Sequence, residues 1–170
     1  MKITVIGNGI SRRHVPLDKI KGITIGCNEI YRGFSPDYLM AVDEPILKEI
    51  HESNYSGTVV YRQNGLRSQG LLPKEHWHHP KYMNHHSSGN AGLVLATTLA
   101  TEPIDLLGFD CQLGRVYSEH TPPSSWQLWI NFLLVTSSKF PLRRVIGENS
   151  LEIPEVPSIS VEDYIKELEV

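Results

Sequence analysis

The sequence predicts an α/β fold: a single Rossmann-like domain with a mostly parallel sheet of about six strands and helices on both faces. Three observations predict it. Short apolar runs alternate with helical segments along the whole chain. Four of those runs end in a glycine or polar cluster instead of a hairpin turn. The 170 residues, 40% hydrophobic and 21% charged, suit one domain with a buried core and argue against disorder. Residues 1–170 are therefore read as one unit, without internal repeats.

Taken in order, Ile3–Ile6 is a β-branched run closed by Gly7-Asn8-Gly9. Gly22–Gly26 follows and closes on Cys27-Asn28, and Tyr38–Val42 ends at Asp43-Glu44-Pro45, where Pro45 suits a helix's first turn. Ile46, Leu47 and Ile50 then recur at helical spacing, and Thr58–Tyr61 is a fourth strand. Residues 63–86 are rich in Gly, Pro, His and Asn and read as a functional loop with at most short helices. Ser87 or Ser88 caps a helix from about Ala91 to Ala100, because a serine oxygen can bond the first turn's free amides. Ile104–Leu107 is a fifth strand ending at Gly108-Phe109-Asp110. Trp126–Ser138 is a helix and Arg144–Ile146 a sixth strand. The stretch 152–157, stiffened by two prolines, connects to a short closing helix, Val161–Leu168.

Composition excludes several functions. A net charge of −3 leaves no basic footprint for a nucleic acid. No run of about 18 apolar residues predicts a membrane span; the longest, near Trp126–Val135, is broken by Gln127 and Asn131. The start MKITVIGNG reads as a strand and not as a signal peptide, and the two cysteines, Cys27 and Cys111, imply no disulfide framework. A cytoplasmic location is expected.

The polar clusters carry the functional signal. In open α/β sheets the ligand crevice lies outside the carboxyl ends of the strands, so all four clusters belong on one edge. Gly7-Asn8-Gly9-Ile10-Ser11 is neither a dinucleotide fingerprint, since residue 12 is Arg, nor a Walker loop. Its glycines still let backbone approach a phosphate; the plainer alternative is a β-to-α turn. Asn28 and Asp43 can bond a base, ribose or phosphate-bound ion, or simply form turns. Ser87, Ser88, Gly89 and Asn90 make an anion cradle or an ordinary helix cap. His76, His78, His79, His85 and His86 crowd one loop, without the cysteine or carboxylate that completes a familiar metal site. Exposed loop histidines are the plainer reading for the first three. His120 follows Asp110 after a short loop containing Arg115 and Tyr117, and its imidazole suits proton transfer near neutrality. Trp126 and Trp129 read as core, and neither cysteine has a readable histidine partner.

Four motifs in order, VIGNGIS, IGCNEIY, YLMAVDEP and HHSSGNAGLVLATTLA followed by IDLLGFD, resemble the bacterial sialyltransferases that use CMP-sialic acid. The layout also resembles a Rossmann-like group that includes the hydroxymethyl-dihydropterin diphosphokinases. The resemblance runs from about Lys2 to His120. It implies a nucleotide site built from Gly7, Asn8, Gly9, Ser11, Asn28, Asp43, Ser87, Ser88, Gly89, Gly108 and Asp110. Asp43 stands where the sialyltransferases carry Asn, and an acid there suits a metal-bound triphosphate better. Those enzymes also have a long lid after the last motif; only about fifteen residues separate Asp110 from the next helix here.

The leading expectation is a nucleotide-dependent glycosyltransferase that binds CMP or a CMP-sugar and passes the sugar to an acceptor hydroxyl. His120 or His86 would be the general base, Tyr117 would ease departure of the phosphate, and no metal or cofactor is required. The acceptor is a small molecule or glycan, and the oligomeric state is open. The alternatives are an ATP-dependent diphosphokinase with magnesium on Asp43 and Asp110, and a non-catalytic nucleotide- or glycan-binding module.

Overall fold

Each strand alternates its side chains between two apolar layers, which is the pattern of a sheet covered on both faces. The computed structural model describes residues 1–80, 87–112, 116 and 124–170, with only the backbone of residues 124 and 125. Its eight strands are β1 (Ile3–Ile6), β2 (Ile23–Cys27), β3 (Tyr38–Ala41), β4 (Val59–Tyr61), β5 (Trp77–His78), β6 (Ile104–Leu107), β7 (Leu142–Ile146) and β8 (Ser158–Ser160). They form one sheet in the order β5-β4-β3-β2-β1-β6-β7-β8. Every pairing is parallel. The sheet thus has eight strands where about six were expected, and it is parallel throughout. The two additions are edge strands of two and three residues, too short to show a period.

The five helices are α1 (Glu44–Glu52), α2 (Gln63–Gln69), α3 (Ser88–Leu99), α4 (Ser124–Ser137) and α5 (Val161–Glu169). On one face Ile3, Val5, Ile25, Met40 and Leu106 pack with Ala91, Leu93 and Ala96 of α3 and Leu133 of α4. On the other, Ile6, Leu39, Val59, Leu107 and Val145 pack with α1 (Ile46, Leu47, Ile50), Leu66 of α2, and Tyr164 and Leu168 of α5. The segment expected to be irregular contains α2 and β5. The helix α2 stops at Gly70, whose φ of +65° is the left-handed turn that ends a helix.

One polar network crosses the second face. The carboxylate of Asp105, 1% exposed, takes two bonds from Arg143 at 2.8 and 3.0 Å. Arg143 also donates to Glu167 of α5 at 2.9 and 2.8 Å. The register sets Thr4, Asp105 and Arg143 side by side on β1, β6 and β7, so this network fastens the last helix to the sheet centre.

The chain leaves β1 in one direction through β2 to β5, then returns along α3 to place β6 on the other side of β1. The connection after β1 packs on the second face and the one after β6 on the first, so a crevice opens at that switch point. Among the described residues no helix is long and apolar enough to cross a membrane.

Candidate functional site

A cleft occupies that crevice. Its lining takes Gly7, Asn8 and Gly9 from the end of β1, Cys27 and Asn28 from β2, and Asp43 from β3. Ser87, Ser88, Gly89 and Asn90 come from the start of α3, Gly108 to Gln112 from the end of β6, and Trp129 from α4. All four sequence clusters meet there.

The glycines act first on one another. Gly7 N–H donates to the Leu107 carbonyl at 2.8 Å, and Gly9 N–H to that of Gly108 at 2.9 Å. A Cβ on Gly9 would lie 2.4 Å from Asp110 Oδ2 and 2.6 Å from the Gly108 oxygen. Gly108 itself has a φ of +75°. The two loops touch backbone to backbone, so these glycines form the cleft floor, and the close approach is to protein before any ligand.

Asn8 is 5% exposed, and its amide is fully engaged. It donates to the Cys27 carbonyl at 2.8 Å and to Glu29 at 3.2 Å, and accepts from Arg12 at 2.9 Å. It fixes the β1 loop against the β2 end. Arg12, which spoils the dinucleotide fingerprint in the sequence, is the buried group that orients it. Ser11 does not line the cleft; its N–H donates to Asp110 Oδ2 at 2.9 Å from behind.

Asp110, 3% exposed, completes this rear wall. Its other oxygen accepts from the Ser150 hydroxyl at 2.7 Å. Beside it Arg144, 2% exposed, donates to the carbonyls of Leu151 and Phe109, both at 2.8 Å. Burial pulls the Arg144 guanidinium below its usual range, opposed by the charges of Cys111 and Asp110. Burial pushes the Cys111 thiol up, which suits a packed sulfur and not a nucleophile. Sequence reasoning missed Arg144. Its signal was a charge inside the apolar strand LRRVI.

The front of the cleft is built around Ser88. Its hydroxyl donates to Asn28 Oδ1 at 2.7 Å and accepts from Val42 N–H at 3.2 Å, joining the ends of β2 and β3 to α3. Asn28 reaches it from a left-handed backbone, φ 53°. Ser87 is the cap of α3, its oxygen accepting from Asn90 N–H at 3.1 Å. The start of α3 thus opens into the cleft with no acid in its first turn, a positive helix end suited to an anion. Asp43 is exposed; its carbonyl accepts from Leu47 N–H at 3.1 Å, and its side chain does not cap α1. Phe109 and Trp129 supply apolar walls; Trp129, expected in the core, packs on the core and lines the cleft as well.

His76 and His79 bond the carbonyls of Tyr55 and Tyr61, both at 3.0 Å, at the β5 edge and away from the cleft. Among the described residues no group of three or more His, Cys, Asp or Glu side chains is placed to hold a metal ion. His86, Arg115, Tyr117 and His120 lie outside the described residues.

No protein-family model matches the chain, and no curated protein matches its sequence. Solved structures do match its fold. It is similar to the sialyltransferase CstII from Campylobacter jejuni in complex with the substrate analogue CMP-3FNeuAc. That match has a TM-score of 0.60 and 14% identity over 92% of this chain and 85% of that one. It is similar to the same sialyltransferase with a trisaccharide acceptor and CMP, at 0.60 and 14% over 93% and 86%. The complex with cytidine-5'-monophosphate gives 0.61 and 14% over 92% and 84%. The diphosphokinase resemblance finds no support in these comparisons. The fold is a sialyltransferase-like α/β fold.

Proposed function

We propose that the cleft binds CMP or a CMP-sugar and that the protein transfers the sugar to an acceptor hydroxyl. The observation that carries this reading is the positive end of α3, opening at the β1–β6 switch point of a fold shared with CMP-bound sialyltransferases. One such helix end suits a single phosphate diester, whereas a triphosphate normally draws on lysine, arginine or magnesium as well. Among the described lining residues there is no lysine, arginine or histidine. The phosphate sits at Ser88 and Gly89, and the nucleoside or sugar takes the Phe109 and Trp129 walls.

In transfer, the bond between the anomeric carbon and the phosphate oxygen breaks and CMP leaves with the electron pair. The acceptor oxygen forms the new bond and gives its proton to His120, or to His86. Tyr117 donates a hydrogen bond to the departing phosphate. These three roles rest on the sequence and its resemblance.

Calorimetric titration of CMP, and of ATP with magnesium, tests the binding half. CMP is expected to bind without metal; tighter, metal-dependent binding of ATP overturns the reading. His120→Ala should then abolish donor turnover while leaving CMP affinity unchanged. Absence of turnover in the unaltered protein with any CMP-sugar leaves a binding module.

A further inference from the structure

We infer that Ser88 is a positioning residue: its hydroxyl does not bind the ligand but fixes the Asn28 carboxamide, so that Asn28 Nδ2 faces the cleft as a hydrogen-bond donor. This rests on the reading of the cleft as a CMP-sugar site. A serine hydroxyl has one proton to give. Ser88, 2% exposed, accepts from Val42 N–H at 3.2 Å, and its proton goes to Asn28 Oδ1 at 2.7 Å. No proton remains for an ionised phosphate diester, which itself has no hydrogen for the Ser88 oxygen to accept. Ser88 therefore meets a phosphate with its backbone and not with its side chain.

The same bond orders the amide. Turned the other way, Asn28 would offer its NH2 to the Ser88 oxygen and leave a buried hydroxyl proton with no acceptor among the described residues. That arrangement carries the full desolvation penalty of the proton. With Oδ1 held, Nδ2 has no partner among the described residues and is not enclosed by protein, and Asn28 lines the cleft. Its N–H groups are open to an oxygen of the ligand. The donor is aimed by three elements at once: β3 through Val42 N–H, α3 through Ser88, and the end of β2 through Asn28. Ser87 has the separate task of closing the helix, its oxygen accepting from Asn90 N–H.

A double-mutant cycle in CMP affinity, read by calorimetry, tests this. Asn28→Gly removes the donor and suits the left-handed backbone, φ 53°. It is expected to weaken CMP binding about three- to tenfold. Ser88→Ala frees the carboxamide and should weaken CMP by a similar or smaller factor. In the Asn28→Gly background, Ser88→Ala should change the affinity less than about twofold, because nothing is left to aim. A loss from Ser88→Ala that persists undiminished in that background overturns the inference, since a direct contact or a merely structural serine acts without Asn28. So does an unchanged affinity on Ser88→Ala in the otherwise unaltered protein. The side-chain amide proton signals of Asn28, followed by NMR, need no variant to fold. CMP should shift them, and signals that stay in place at saturation overturn the inference. If the unaltered protein binds no CMP at all, the underlying reading falls first.

Discussion

Gly9→Ala isolates the contact that holds the cleft floor together. The backbone of Gly9 has φ −63° and ψ 152°, ordinary values for alanine, so the substitution introduces no torsional strain. Only the space is wrong. The new Cβ would lie 2.4 Å from Asp110 Oδ2 and 2.6 Å from the Gly108 oxygen, where ordinary contact begins at 3.4 Å. The β6 loop must therefore withdraw by about 0.8 to 1 Å. That movement lengthens two bonds now at 2.9 Å, Gly9 N–H to the Gly108 carbonyl and Ser11 N–H to Asp110. Losing one neutral and one charge-assisted bond, with residual crowding, costs about 3 to 5 kcal/mol. Gly70→Ala is the control: φ is +65°, but nothing lies within 4 Å of its Cβ, so it should cost about 1 kcal/mol. Urea unfolding at unchanged m reads both. A Gly9→Ala cost below about 1 kcal/mol, or no greater than that of Gly70→Ala, would refute the account of the floor.

Two further variants probe the α5 attachment. Arg143→Met leaves the Asp105 carboxylate buried with only Lys2 at 3.4 Å, and should cost about 3 to 5 kcal/mol in urea unfolding. Adding Asp105→Leu should recover most of that loss; a single variant near neutral would show the network carries little. Burial pushes the Tyr164 phenol from 10.0 up to about 12. The folded state therefore keeps a proton the unfolded chain gives up, so this contribution is complete below pH 10 and is lost toward pH 12. Unfolding from pH 9 to 12 should show about 2 to 3 kcal/mol of alkaline loss that is absent in Tyr164→Phe. Parallel pH profiles for the two proteins would contradict it.

The parallel α/β architecture was legible because Ile3–Ile6 and Ile104–Leu107 are short, mostly apolar runs that end in glycine, which is a local property of the chain. The switch-point rule then assigns Asn8, Asn28, Asp43 and Ser88 to one edge from the sequence alone. Trp77–His78 and Ser158–Ser160 were invisible, since strands of two or three residues have no period and exist only through their neighbours. The use of each polar group was likewise invisible. Asn8 and Asp110 looked like ligand contacts, yet Arg12, Cys27, Glu29, Ser11 and Ser150 take up their capacity. All of those partners except Arg12 lie on another segment, as Arg144 lies against Leu151 and Phe109. The sequence by itself determined the sheet, its covered faces and the edge on which the cleft opens. Tertiary structure alone decided that the Gly7-Asn8-Gly9 and Gly108 loops clasp each other and that the Asp43 side chain leaves α1 uncapped. Hydrogen bonds between distant segments depend on spatial register, which no local pattern of residues encodes.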